Sequence, residues 1–185
     1  MKLIKYIILS FFILIITLSA CSSTESSISN EMEGIELDIT INKQEMTLDD
    51  EVVAKVTLTN HNDSQIEIFV PIPSDIEEGI AAVMVEKENE MLSQLLSPEN
   101  SLNIPNIKER TFYDFVLVKL GANETIEQEF RWNKELLNQG SREIVKADSG
   151  EYLLSTFVIL DDLIDEKDYY EPEKQLISKV NFTVK

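Results

Sequence analysis

Val52-Val53-Ala54-Lys55-Val56-Thr57-Leu58-Thr59-Asn60 decides the architecture of this 185-residue chain. Val52, Ala54, Val56 and Leu58 recur at every second position, and Lys55, Thr57 and Thr59 stand between them. Side chains of an extended strand alternate between two faces, so this spacing builds a strand with one apolar and one wet face. A helix would place its apolar residues three and four apart. Upstream, Ile35, Leu37, Ile39 and Ile41 repeat the same period. Downstream, Asn60-His61-Asn62-Asp63-Ser64 reads as a turn, because short polar side chains bond their own backbone. Gln65 to Val70 is expected as the return strand of a hairpin, stopped by Pro71 and Pro73.

Further out, Gly79 to Glu86 and Met91 to Leu96 read as a second hairpin around Lys87-Glu88-Asn89-Glu90. Residues 97–110 are loop-like, and Thr111 to Leu120 returns to strand character. Gly121-Ala122-Asn123-Glu124 makes a turn into Thr125 to Trp132, with Ile126, Phe130 and Trp132 on one face. Asn133 to Asn138 is expected as one helical turn. Tyr152 to Leu160 is apolar on both faces, as a central strand should be, and Gln175 to Lys185 closes the domain. About eight short strands separated by turn signals imply an all-β antiparallel sandwich over residues 33–185.

The amino terminus has a different composition. Lys2 and Lys5 precede an apolar run from Tyr6 to Leu18, the pattern of an export signal over residues 1–20. That run is short for a permanent span, which takes about 20 apolar residues. Leu18-Ser19-Ala20-Cys21 resembles the lipobox of bacterial lipoproteins. The resemblance implies cleavage before Cys21, a diacylglyceryl group on its thiol and an acyl group on the new amine. It also implies a protein anchored on the outer, extracytoplasmic face of the cell membrane. Each buried CH₂ of such chains contributes about 0.8 kcal/mol, so two or three chains hold firmly. Residues 21–32, Ser-rich after the cysteine, are expected as a flexible tether reaching on the order of 15–20 Å.

Charge narrows the partners. The chain carries −18 at neutral pH; without residues 1–20 it keeps 14 basic against 34 acidic side chains, or −20. Such a surface repels nucleic acid and anionic lipid head groups and favours cations or a basic partner. Cys21 is the sole cysteine, so no internal disulfide can form.

Asp148-Ser149-Gly150-Glu151-Tyr152 resembles the Asp-x-Gly-x-Tyr entry to strand F of immunoglobulin-like sandwiches, whose tyrosine bonds backbone across a corner. The paired cysteines of antibody domains are missing, and Trp132 lies on the strand before the corner. Val56 to Asn60, Leu120 to Thr125, Phe130 to Trp132 and Gly150 to Tyr152 together resemble the bacterial intracellular proteinase inhibitor family. That resemblance implies a protruding inhibitory loop, Ile72 to Gly79 or Leu96 to Arg110.

Candidate chemistry is sparse. His61 is the sole histidine and sits in a turn; no Gly-x-Ser-x-Gly elbow accompanies it. One histidine and one lipidated cysteine are too few ligands for zinc. Asp161, Asp162, Asp165 and Asp168 could supply oxygens to Ca²⁺, joined by Asp49-Asp50-Glu51 if the loops meet, or they form a solvated acidic loop. Tyr169-Tyr170 is a candidate aromatic patch. The expectation is therefore a non-enzymatic lipoprotein that binds a protein, peptide or envelope component. Proteinase inhibition and calcium-dependent adhesion are the alternatives.

Overall fold

The chain folds as two β-sheets packed face to face, seen in a computed structural model that describes residues 25–71, 82–96, 115–160 and 175–185. The first sheet takes β1 (Ser26–Met32), β2 (Ile35–Ile41), β4 (Val52–Asn60) and β9 (Thr125–Trp132), in the order β1-β2-β4-β9, antiparallel throughout. The second runs β11 (Ile144–Lys146), β10 (Glu135–Asn138), β7 (Leu92–Leu96), β6 (Ala82–Lys87), β12 (Gly150–Ile159), β13 (Gln175–Val184), β3 (Glu45–Met46). Its pairs are antiparallel except β13–β3, which is parallel. β5 (Ile66–Pro71) joins it against β12 and β8 (Phe115–Leu120). This is the expected all-β sandwich, with thirteen strands among the described residues where about eight were expected. The surplus consists largely of short strands, such as β3, β10 and β11, too brief to show a period.

Three local readings change. β5 does not return as a hairpin on β4; it crosses to the other sheet. Both edges of β4 are already filled by β2 and β9, and Ile68, Phe69 and Val70 are buried in succession. A strand apolar on both faces needs cover on both sides, which β4's hairpin position lacks. Asn133 to Asn138 is not a helical turn. The Asn133 side chain accepts from the Glu135 amide, Lys134 takes φ 60°, and β10 follows on β7. Finally, the expected tether over residues 21–32 ends where β1 begins at Ser26, paired along β2 from Ser26↔Ile41 to Met32↔Ile35. A ladder needs only backbone donors and acceptors, so a polar segment can occupy an open edge with no buried side chain.

The inward faces supply the core. Ile35, Leu37, Ile39 and Ile41 of β2 and Val52, Ala54, Val56 and Leu58 of β4 are all buried. Opposite them lie Val83 and Val85 of β6, Leu154 and Val158 of β12, and Val180 and Phe182 of β13. At one end the Trp132 ring lies 5.1 Å from Tyr152 and 5.9 Å from Phe182, and Tyr152 stacks on Phe182 at 5.4 Å. The Tyr152 hydroxyl then donates to the Asp148 carbonyl at 2.8 Å, making the corner that the Asp-x-Gly-x-Tyr run implies. Burial raises the pKa of this phenol, so it stays a donor through the neutral range.

Register sorts the connections between two ends. Ser26, Ile41, Ala54 and Phe130 stand in one row near the Trp132 end. Met32, Ile35 and Asn60 mark the other, roughly 20 Å along the strands. Tyr152→Phe keeps the ring stack and removes one hydrogen bond. It should lower stability by about 1 kcal/mol, read as a lower urea midpoint at unchanged slope.

Candidate functional site

The Asn60 end is built on one buried side chain. Asn60 is fully buried at the end of β4, and its amide nitrogen reaches the carbonyls of Ser64 (2.8 Å), Gly121 (2.9 Å) and Leu120 (3.2 Å). Its side-chain oxygen accepts from the Asn62 amide at 3.0 Å, and its own backbone N–H donates to Glu124. Asn62 extends the network: its side chain donates to the Glu33 carbonyl, and its own carbonyl accepts from the Asn123 amide. Three turns, at Glu33-Gly34, Asn60 to Gln65 and Gly121 to Glu124, are thereby tied together. Gly34 is required here. Its φ is +76°, and an added Cβ would lie 2.7 Å from the Asn62 side-chain oxygen.

Beside this network lies a cleft of ≈ 380 Å³ lined by Glu33, Ile35, Gln65, Ile66, Glu67, Ile68 and Leu160. Its accessible wall is mainly polar, carrying Glu33, Glu67 and Gln65, with Ile66 and Leu160 adding apolar surface. Lys119 holds Glu67 at 2.7 Å. A concave, mainly polar cleft in which Lys119 fixes Glu67 suits a ligand that offers hydrogen-bond donors or positive charge.

His61 sits at the same end, exposed, with Nε2 2.8 Å from Glu36. Ser29 donates to the other oxygen of Glu36. The Ser29 bond first, and then His61, hold the Glu36 carboxyl below its usual range. A serine nucleophile requires the histidine to bond the hydroxyl directly. Here the carboxylate stands between the two and bonds each, so the trio is a surface hydrogen-bonded cluster.

The Trp132 end carries a different set of charges. Lys87 is nearly buried and bridges Asp148 and Glu90 at 2.6 Å each. The Lys87 ammonium lowers the pKa of the Asp148 carboxyl, and Asp148 chiefly, with Glu90, raises that of Lys87. Asp50 is held first by Lys43 and then by the Thr47 amide and hydroxyl, which pull its pKa down to about 2. Glu51 pairs with Arg131. Asp49-Asp50-Glu51 thus caps a turn, and it lies at the end opposite Leu160, where β12 leaves toward Asp161. Among the described residues, no group of three or more His, Cys, Asp or Glu could hold a metal ion.

Leu18, Ser19, Ala20 and Cys21 lie outside the described residues, as do Asp161, Asp162, Asp165, Asp168 and Tyr169-Tyr170. So do Ile72 to Gly79 and all of Leu96 to Arg110 except Leu96, the buried end of β7. Among the described residues, no helix is long and apolar enough to cross a membrane. Sequence reasoning placed the turn at Asn60 but missed the network. Three asparagines, at 60, 62 and 123, beside glycines at 34 and 121 were the available signal.

No family profile matches the chain, and no curated protein matches it. Among solved structures it is similar to the β-glucosidase from Listeria innocua in complex with glucose. The match has 14% identity and a TM-score of 0.38 over 88% of this chain and 16% of that one. The same enzyme in complex with gluconolactone gives 14% and 0.39 over 88% and 16%. A mutant in complex with laminaribiose gives 15% and 0.39 over 89% and 16%. The chain spans 16% of the length of these enzymes.

Two outcomes follow. Asn60→Ala removes every side-chain hydrogen bond of a fully buried amide and should cost roughly 3 kcal/mol in denaturant unfolding. Asp50 contributes stability above its unfolded pKa of 3.8, and loses it as pH falls through about 2. Asp50→Asn should flatten the acid limb of stability over that window, measured by melting temperature against pH.

Proposed function

We propose that this chain is an extracytoplasmic lipoprotein held in the cell membrane through acylated Cys21, and that its sandwich is a non-enzymatic binding module. The supporting observation is the placement of the two ends. The chain enters β1 at the Trp132 end, while the Asn60 network and its cleft lie at the other. An anchor at Cys21 therefore turns the cleft away from the membrane, toward whatever approaches from outside. Tied turns hold the rim in one geometry, which lowers the ordering cost of binding. The ligand is a protein, peptide or envelope component with basic character, matched to Glu33 and to a chain of net charge −18.

Cys21→Ser should abolish incorporation of labelled fatty acid and leave residues 1–20 attached, as mass analysis would show. The chain without residues 1–20, immobilised and exposed to surface extract, should capture its partner. Gln65→Arg at the cleft should abolish capture, and Glu88→Arg at the opposite end should not. Capture insensitive to Gln65→Arg moves the site elsewhere, and turnover of an envelope polymer by the purified domain ends the binding-module reading.

A further inference from the structure

The two most exposed large apolar side chains among the described residues are Met91, at 69%, and Ile144, at 68%. They are neighbours in the fold. Met91 lies in the β6–β7 turn, and its carbonyl accepts from Gln139 in the β10–β11 turn. Ile144 opens β11 opposite Leu137, with Val145 turned inward. Both sit toward the Trp132 end, and Leu48, 47% exposed, lies at that end too. Three of the five exposed large apolar side chains among the described residues thus stand at one end of a very acidic chain, the other two being Ile28 and Leu95.

Charge at this end is partly neutralised in place. Lys185 meets Glu45, Lys43 meets Asp50, Arg131 meets Glu51, and Lys87 meets both Glu90 and Asp148. Asp49, Glu88 and Glu143 stand outside these pairs. So do the exposed cations Arg142 and Lys146, which flank Ile144 on either side.

Chain length supplies the partner. β1 begins at Ser26, so only residues 22–25 separate Cys21 from the sandwich. Four residues reach roughly 14 Å when fully extended. An acylated Cys21 therefore keeps the Trp132 end within about that distance of the lipid surface. The tether enters on the β1 side, where Asn30 bonds the Ile177 carbonyl of β13. β11 lies five strand spacings across the sheet from β13, roughly 24 Å away.

We infer that the tip of the β10–β11 hairpin and the adjoining β6–β7 turn form a second membrane contact. Ile144 and Met91 seat in the boundary between headgroups and acyl chains, and Arg142 and Lys146 lie on lipid phosphates. This rests on the acylation proposed above. One point of support lets the domain tip; two on opposite sides of the sandwich stand it upright, with the cleft outward.

The test uses the acylated protein from the producing cell, reconstituted in phosphatidylcholine–phosphatidylglycerol vesicles, with amide hydrogen exchange as the readout. Residues 139–146 and 88–91 should exchange several-fold more slowly than in the chain without residues 1–21 in solution, and the double variant Met91→Asp, Ile144→Asp should erase that difference while remaining on the vesicles. Both positions are exposed, so the variant keeps its fold, checked by unchanged exchange in β12. Vesicle-bound protein whose hairpin exchanges as fast as in solution overturns the contact alone. Failure to associate with vesicles overturns the anchor and the contact together. Protection that vanishes when the protein is diluted on the vesicle surface reports contact between copies, and also overturns the contact.

Discussion

The inward faces of the two sheets must meet, and everything else in this protein follows from that packing. Leu37, Ile39, Val56 and Leu58 on one side, and Val83, Val85, Leu154 and Val180 on the other, leave water together. At about 25 cal/mol per Å² this burial is the dominant favourable contribution, and without a disulfide it has no covalent support. Because strands are rigid in length and register, burying these faces also sorts the connections. Turns at 33–34, 60–65 and 121–124 gather at one end. The entry to β1 and the turns at 42–51 and 88–91 gather at the other.

The two ends then diverge in chemistry for physical reasons. At the Trp132 end the aromatic stack is completed by a hydrogen bond from Tyr152 to backbone, and several carboxylates are paired with cations, two of them on Lys87. At the Asn60 end a neutral amide does the corresponding work. Asparagine carries both donor and acceptor, so one buried side chain can serve carbonyls from two turns and an amide from its own. A buried charge there would have needed a partner.

The β1 strand closes one edge of the first sheet. Its side chains are polar, and it contributes little to the core, yet its backbone completes the ladder of β2. Docked in this way, it takes seven residues out of the segment that would otherwise separate the domain from Cys21.

Period-two alternation over Val52 to Leu58 and Ile35 to Ile41 was sufficient for strands, for a sandwich and for the identity of the core, because alternation is a local consequence of burying one face. The Asp-x-Gly-x-Tyr run likewise announced its corner, since donor and acceptor lie four residues apart. Tertiary structure alone decided that β5 leaves β4 for the other sheet, that Ser26 to Met32 pairs as an edge, and that Asn60 holds turns 60 residues distant in sequence. Those outcomes depend on which backbone edges and which buried carbonyls remain vacant once the core has formed. No window of neighbouring residues contains that information.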